Sequence, residues 1–293
     1  MLRAAGHRVT VATEWDADAG TELMLALHAR RSHASMRAFR ERHPQRPLVL
    51  ALTGTDVYRD LRISAEARES LRLADRYIVL QPKAIEELPQ GLRSQAKVVY
   101  QSCATRLRHT PLKRAFRICV IGHLREEKDS LRAFAALSHI PAHAGIELVQ
   151  LGDSLDEALA RAARRGMRED RRYRWLGSVA HARALRWLAT SHAMVISSRM
   201  EGGANVISEA IRIGVPVIAS RISGNVGLLG EDYRAYFAPG DTRALADLTQ
   251  IAASDAAFYR GLKRHLAQLR PMVSPGNERR MLLAAVKAAQ EPS

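Results

Sequence analysis

The chain has 293 residues, 47% hydrophobic and 26% charged, a balance that excludes a disordered polymer and, at roughly 150 residues per domain, predicts two domains. Its net charge of +15 favours anionic ligands, yet aromatic residues reach only 5% and the arginines spread over expected helix faces (Arg161, Arg164, Arg165, Arg168); a solvated basic surface with no nucleic-acid partner is the preferred reading. The two cysteines, Cys103 and Cys119, have no Cys/His cluster beside them, no run approaches about 18 apolar residues, and the start lacks signal-peptide order; reduced thiols, a cytoplasmic location and no metal, cofactor or stable membrane anchoring are expected.

The opening Met1-Leu2-Arg3-Ala4-Ala5-Gly6 reads as the last turn of a helix closed by a C-cap glycine before a strand at 9–12. Doubly wound domains open with a strand, so the first domain is expected to lack its first strand. Short apolar runs predict further strands at 23–27, 48–52, 77–80 and 98–100, with helices at 33–43, 65–74 and 83–88 between them. The polar, basic stretch 101–115, containing Pro111, has no periodicity and reads as a linker. Strand candidates resume at 116–122, 146–151, 173–176, 193–197 and 215–219, and 241–268 and 276–290 are helix-prone. The expected fold is α/β, two Rossmann-like doubly wound domains facing a cleft: 1–112, 113–270, and a C-terminal helix within 271–293 that packs back on the first domain.

In parallel sheets ligands bind beyond the carboxyl ends of the strands, so the loops there are the first candidates for a site. After 116–122 comes His123-Leu124-Arg125-Glu126-Glu127-Lys128-Asp129, two cations before a helix start whose amides can receive phosphate. A solvated charged turn explains the same residues equally well. After 193–197 comes Ser198-Arg199-Met200-Glu201-Gly202-Gly203-Ala204-Asn205, leading into a helix that carries Glu209. The glycines let amides approach a ligand, and two carboxylates at this spacing can accept hydrogen bonds from different hydroxyls of one extended molecule.

Lys128 after its Gly-x-Leu loop, the pair Glu201/Glu209, the Gly-Val-Pro-Val-Ile core at 214–218, and the segments Leu176-Gly177-Ser178-Val179, Ser223-Gly224-Asn225 and Pro239-Gly240-Asp241 together resemble the retaining GT-B glycosyltransferases of family 4 over 113–255. The resemblance implies that Lys128, helped by Arg125 or His123, binds the diphosphate of a UDP-sugar. It also implies Glu201 on the sugar hydroxyls, Glu209 on the ribose, Ser178 and Val179 near the base, and Gly202, Gly203, Ala204, Asn205 and Asn225 along the donor. Asn225 taken by itself is equally a turn asparagine. Two departures stand out: His123 where the family has arginine, and Thr53-Gly54-Thr55-Asp56 where it has His-Gly-Thr-Asp, which points to an unusual acceptor.

A narrower resemblance accounts for both. The strings Leu25–Ser32 (LALHARRS), Leu52–Tyr58 (LTGTDVY), His123–Asp129 and Arg199–Val206 are similar to the selenosugar synthases of selenoneine biosynthesis. That family implies a UDP-sugar donor, UDP-N-acetylglucosamine in the first place, and selenophosphate as the acceptor forming a carbon–selenium bond. His28, Arg30 and Arg31 follow one first-domain strand and Thr53, Gly54, Thr55 and Asp56 the next, so both loops are candidates for holding that anion. Taken singly, His28 reads as a buried, satisfied histidine, Arg30 and Arg31 as a basic helix start, and Asp56 as a cap in preference to an orienting group. A carbohydrate or lipid acceptor, or epimerase or hydrolase chemistry, is the alternative.

Overall fold

A computed structural model of the protein describes residues 1–17 and 20–291, so the last two residues of the expected C-terminal segment lie outside the described residues. The chain divides into two compact units, Met1–Ser102 with Ser274–Ser293, and Cys103–Val273.

Unit 1 runs β1 (Met24–Leu27), α1 (His33–Arg42), β2 (Leu48–Ala51), a π-helical turn Asp56–Asp60, α2 (Leu61–Ile63), α3 (Ala65–Leu73), β3 (Arg76–Val79), α4 (Lys83–Glu86) and β4 (Ala96–Val98). The strands pair in parallel in chain order, with Leu25 opposite Val49 and Ala51 opposite Ile78. Right-handed crossovers that all step in one direction put their helices on one face of the sheet. Strand alternation turns Leu48, Leu50 and Tyr77 to that face, where they pack with Met36, Phe39, Ala67 and Leu71. Val49, Ile78 and Val99 belong to the other face, and the C-terminal helix Pro275–Gln290 covers them with Met281, Leu282, Ala285 and Ala289. The helix starts at Ser274, whose hydroxyl accepts from the Asn277 amide, with Pro275 in its first turn.

The expected strand at 9–12 does not form. Val11 is 83% exposed and no strand among the described residues pairs with this segment, so the three β-branched residues Val9, Thr10 and Val11 find no ladder. Gly6 does close a short helical turn, Arg3–Ala5, at φ +92 with its N–H donating to the Arg3 carbonyl.

Unit 2 runs β5 (Phe116–Ile121), α5 (Arg132–Ala136), β6 (Ile146–Leu151), α6 (Glu157–Glu169), β7 (Tyr173–Trp175), α7 (His181–Thr190), β8 (Ala193–Ile196), α8 (Asn205–Ile213), β9 (Val217–Ser220), α9 (Ser223–Leu229), β10 (Tyr236–Phe237), α10 (Thr242–Ser254) and α11 (Ala256–Leu269). Its sheet is parallel in the order β7-β6-β5-β8-β9-β10. Asp156, Asp241 and Asp255 cap α6, α10 and α11 through their carboxylates. The unit begins at Cys103, ten residues before the boundary expected at 113. Backbone bonds draw the polar stretch in: the amides of His109, Thr110 and Leu112 donate to the carbonyls of Ile213, Ala189 and Thr190. No described helix is long and apolar enough to cross a membrane.

Candidate functional site

In unit 2 the chain leaves β5 towards β6 on one side and returns as β8 on the other. The loops after β5 and β8 therefore part, and a crevice opens at the carboxyl ends of these two strands. The residues singled out in the sequence lie in those two loops. Lys128 Nζ donates to Glu201 Oε1 at 3.0 Å, and the Ser198 hydroxyl donates to the same oxygen at 2.7 Å. The Lys128 side chain is 30% exposed and that of Glu201 15%, so the pair sits at the mouth of a recess lined by Gly122, Ser130 and Ser197. Gly122 stands at φ +151, and a Cβ there would press on Lys128 Cδ at 3.3 Å; the glycine leaves the lysine stem its path across the end of β5.

Glu201 is braced from behind. Asn225 Nδ2 donates to the Ser220 carbonyl (2.9 Å) and hydroxyl (3.1 Å), Ser220 donates to the Ser198 carbonyl (2.6 Å), and Ser198 holds Glu201. Asn225 is fully buried in this role, so its Nδ2 supports the carboxylate loop, while its Oδ1 has no hydrogen-bond partner among the described residues. Gly224 packs against the Glu201 main chain, where a methyl group would collide with its carbonyl oxygen.

After Gly202 and Gly203, Ala204 begins α8 with no side-chain cap, which leaves first-turn amides available at the mouth of the crevice. One turn into α8, buried Glu209 accepts from Asn205 Nδ2 (3.3 Å) and pairs with His181 Nε2 (2.7 Å). His181 is 70% exposed and stands three residues after Ser178, so the turn of Ser178 and Val179 is tied to Glu209 through it. Sequence reasoning missed His181 and Ser198; a histidine opening a helix beside the expected base site was the available signal. His123 accepts the Asp153 amide at Nδ1 (3.1 Å) and therefore shapes its loop. Arg125 is exposed on the same turn, with its backbone amide on the Ser130 hydroxyl. Cys103 is buried, and that burial, reinforced by Glu209, pushes its thiol up to about 11; burial likewise raises Cys119 to about 12, so both are neutral thiols.

In unit 1 the loops after β1 and β2 build a second constellation. Asp56 is fully buried and accepts four hydrogen bonds: from His28 Nδ1 (2.8 Å) and the Ala29 amide (2.9 Å) on Oδ1, and from the Thr53 amide (2.7 Å) and hydroxyl (2.8 Å) on Oδ2. Thr53 opens the helical turn and Asp56, three residues on, accepts its amide, as a cap does; the same carboxylate meets His28 and the Ala29 amide and so ties the two loops together. His28 sits at φ +75, a left-handed position rare for a residue with a Cβ. Burial lowers its pKa below the ordinary 6.5 against the opposing pull of Asp56, and Arg31 lowers it further, which favours the neutral ring. Gly54 and Thr55 are half-buried in the same turn and Arg31 is exposed. The π-helical turn widens the spiral between Asp56 and Asp60 and brings both carboxylates to one histidine, a local irregularity frequent at functional sites.

Two Rossmann-like parallel α/β units, with charged loops gathered at the reversal of the second sheet, define the GT-B architecture. Residues 115–255 match the family model described as Glycosyl transferases group 1. Solved structures with the same fold include Anabaena Alr3699/HepE in complex with UDP (TM-score 0.79, 18% identity, 91% of this chain and 79% of that one). They also include sucrose-phosphate synthase from Thermosynechococcus elongatus (0.75, 20%, 93% and 75%) and the lipopolysaccharide outer core galactosyltransferase WaaB (0.70, 14%, 93% and 76%). No curated protein matches the chain. The family match falls within unit 2, and the solved structures share the GT-B fold of the chain.

Proposed function

We propose that the protein is a selenosugar synthase: a glycosyltransferase that moves the sugar of a UDP-sugar, UDP-N-acetylglucosamine in the first place, onto selenophosphate. The observation that carries the transferase reading is the convergence of Lys128, Ser198, Glu201 and the uncapped start of α8 at the strand-order reversal of unit 2. A diphosphate arriving there draws Lys128 away from Glu201, which frees the carboxylate for the sugar hydroxyls, while Glu209 takes the ribose. The UDP and UDP-glucose complexes of the Anabaena neighbour support a UDP-sugar as donor.

In the reaction the bond between the anomeric carbon and the UDP oxygen breaks, and its electron pair leaves on the diphosphate, where Lys128 and the helix amides neutralise it. The selenium of selenophosphate supplies the pair for the new carbon–selenium bond. Preorganised donors aimed at a developing charge are typically worth about 3 kcal/mol each. A selenium anion is a strong nucleophile with little need of a base, which agrees with a first unit rich in cations and without the family's usual histidine at Thr53. The arginines beside His28 support an anionic acceptor.

The test is UDP release from UDP-N-acetylglucosamine with and without selenophosphate, with mass spectrometry of the products. Selenophosphate-dependent UDP and a selenium-containing sugar are expected. Release that ignores selenophosphate, or that appears only with a carbohydrate or lipid acceptor, returns the protein to the general family-4 reading.

A further inference from the structure

Asp60 has no place among the residues the sequence singled out, yet it is a buried charge beside His28. It is fully buried, and its Oδ2 has no hydrogen-bond partner within the described residues. Two guanidiniums lie on this single carboxylate: Arg59 Nε on Oδ1 at 2.9 Å and Arg30 Nε on Oδ2 at 3.4 Å, with His28 Nε2 3.9 Å from Oδ2. Both arginine side chains are nearly half exposed, 49% and 46%. Each arginine therefore meets Asp60 with the nitrogen nearest its stem, and the outer forks are left for another acceptor. Three cations (Arg30, Arg31, Arg59) surround two carboxylates and a neutral imidazole, so the constellation carries surplus positive charge. Asp60 offsets only part of this charge, and the surplus favours an added anion.

We propose that Arg30 and Arg59, both anchored on Asp60, form a clamp for a tetrahedral oxyanion of the phosphate class, with Asp60 as the positioning residue. The clamp rests on the reading of unit 1 as the acceptor-holding unit and deepens it: the acceptor is gripped by its phosphoryl oxygens, through planar forks that suit them. His28, Asp56 and Asp60 also bring ligand atoms within 4.8 Å of one another, a spacing that would serve a cation. The lone pairs argue otherwise, because Asp56 is saturated by four donors and both Asp60 oxygens face arginines.

The experiment is calorimetric titration of the full-length chain with inorganic phosphate, with UDP present to fill the diphosphate site of unit 2. Saturable one-to-one binding is expected, weakened roughly tenfold or more by Arg30→Ala and by Arg59→Ala, the loss of about one charge-assisted hydrogen bond each. Arg59→Lys, which keeps the charge without the fork, is expected to weaken binding as well. Asp60→Asn supplies the sign test. Removing a negative charge beside an anion tightens binding by Coulomb's law alone, whereas loss of the anchor loosens it; loosening in a variant that still melts cooperatively is expected. Binding that tightens or stays level in Asp60→Asn, or that ignores Arg59→Ala, overturns the clamp, as does saturable Mg²⁺ or Zn²⁺ binding abolished by Asp60→Asn. Phosphate binding that needs both arginines in an enzyme that glycosylates only carbohydrate keeps the clamp and sinks selenophosphate transfer. Selenosugar formation with phosphate binding indifferent to Arg59 does the reverse.

Discussion

Replacing Asp56 by asparagine changes one atom of a fully buried side chain, and the hydrogen bonds around it fix the consequence. Oδ1 serves the Ala29 amide and His28, while Oδ2 serves the Thr53 amide and hydroxyl. An asparagine amide has one accepting oxygen. If its NH2 group takes the Oδ1 place, His28 can change tautomer and accept, but the Ala29 N–H faces another donor. If it takes the Oδ2 place, the Thr53 hydroxyl can rotate to accept, but the Thr53 N–H is stranded. Either orientation orphans one backbone donor at about 1–3 kcal/mol, and the bonds that survive lose their charge assistance. The expected loss is about 3 kcal/mol, and at about 4 °C per kcal/mol for a domain of this size the transition of unit 1 falls by about 10 °C. Scanning calorimetry of the full chain reads it directly. A melting point within 3 °C of the unsubstituted protein would refute the four-donor arrangement.

Lys128→Ala is expected to lower the rate of UDP release by about 10²–10³-fold, the effect of one lost transition-state donor. Because its ion pair is only partly buried, stability should fall by no more than about 1 kcal/mol; parallel kinetics and urea denaturation separate the two, and a rate within tenfold of the original contradicts the role assigned to it. Gly224→Ala drives a methyl into the Glu201 carbonyl, so UDP-sugar affinity should drop roughly tenfold or more in calorimetric titration while melting shifts only by the 1–3 kcal/mol of a local overpacking. His109 donates from Nε2 to the Ser191 carbonyl, its Nδ1 is buried without a partner among the described residues, and burial depresses its pKa from 6.5 to about 4. The unfolded chain therefore binds the extra proton first as pH falls. Stability contributed by neutral His109 is complete above about 6.5 and declines between 6.5 and 4, by on the order of 3 kcal/mol in all. Urea denaturation at pH 7 and 4.5 should show this decline, and His109→Gln, which keeps a donor for Ser191, should flatten it.

Elements with periodic apolar residues were legible from the sequence: the strands at 48–51 and 193–196 and the C-terminal helix all announce themselves by spacing. What stayed hidden lacked such a signal. The stretch 103–112 joins unit 2 through backbone hydrogen bonds, which leave no imprint on residue type, and α9 (Ser223–Leu229) carries two glycines that weaken any helical reading. The opposite error came at 9–12, where β-branched residues suggested a strand that has nothing to pair with. Lys128 and Glu201 stand out in the sequence because they lie in loops after strands, whereas Glu209, buried within α8, is picked out by its spacing from Glu201. The partners that hold them, Ser198, Ser220 and His181, are ordinary residues made important by three-dimensional neighbours. Asp60 was invisible for a related reason: only a π-helical turn brings it beside His28, and that widening cannot be read from a chain of residue types.

Val49 and Ile78 of unit 1 meet Ala285 and Ala289, which imposes an order on biosynthesis. While the ribosome works through unit 2, the sheet made first keeps one apolar face bare. At about 5–20 residues per second the interval between strand β4 and its cover is roughly 10–40 s, and during it the unit encoded later can finish folding before the one encoded earlier. A nascent chain in this condition is open to aggregation and to chaperone capture through one face, and the last helix to emerge brings that exposure to an end.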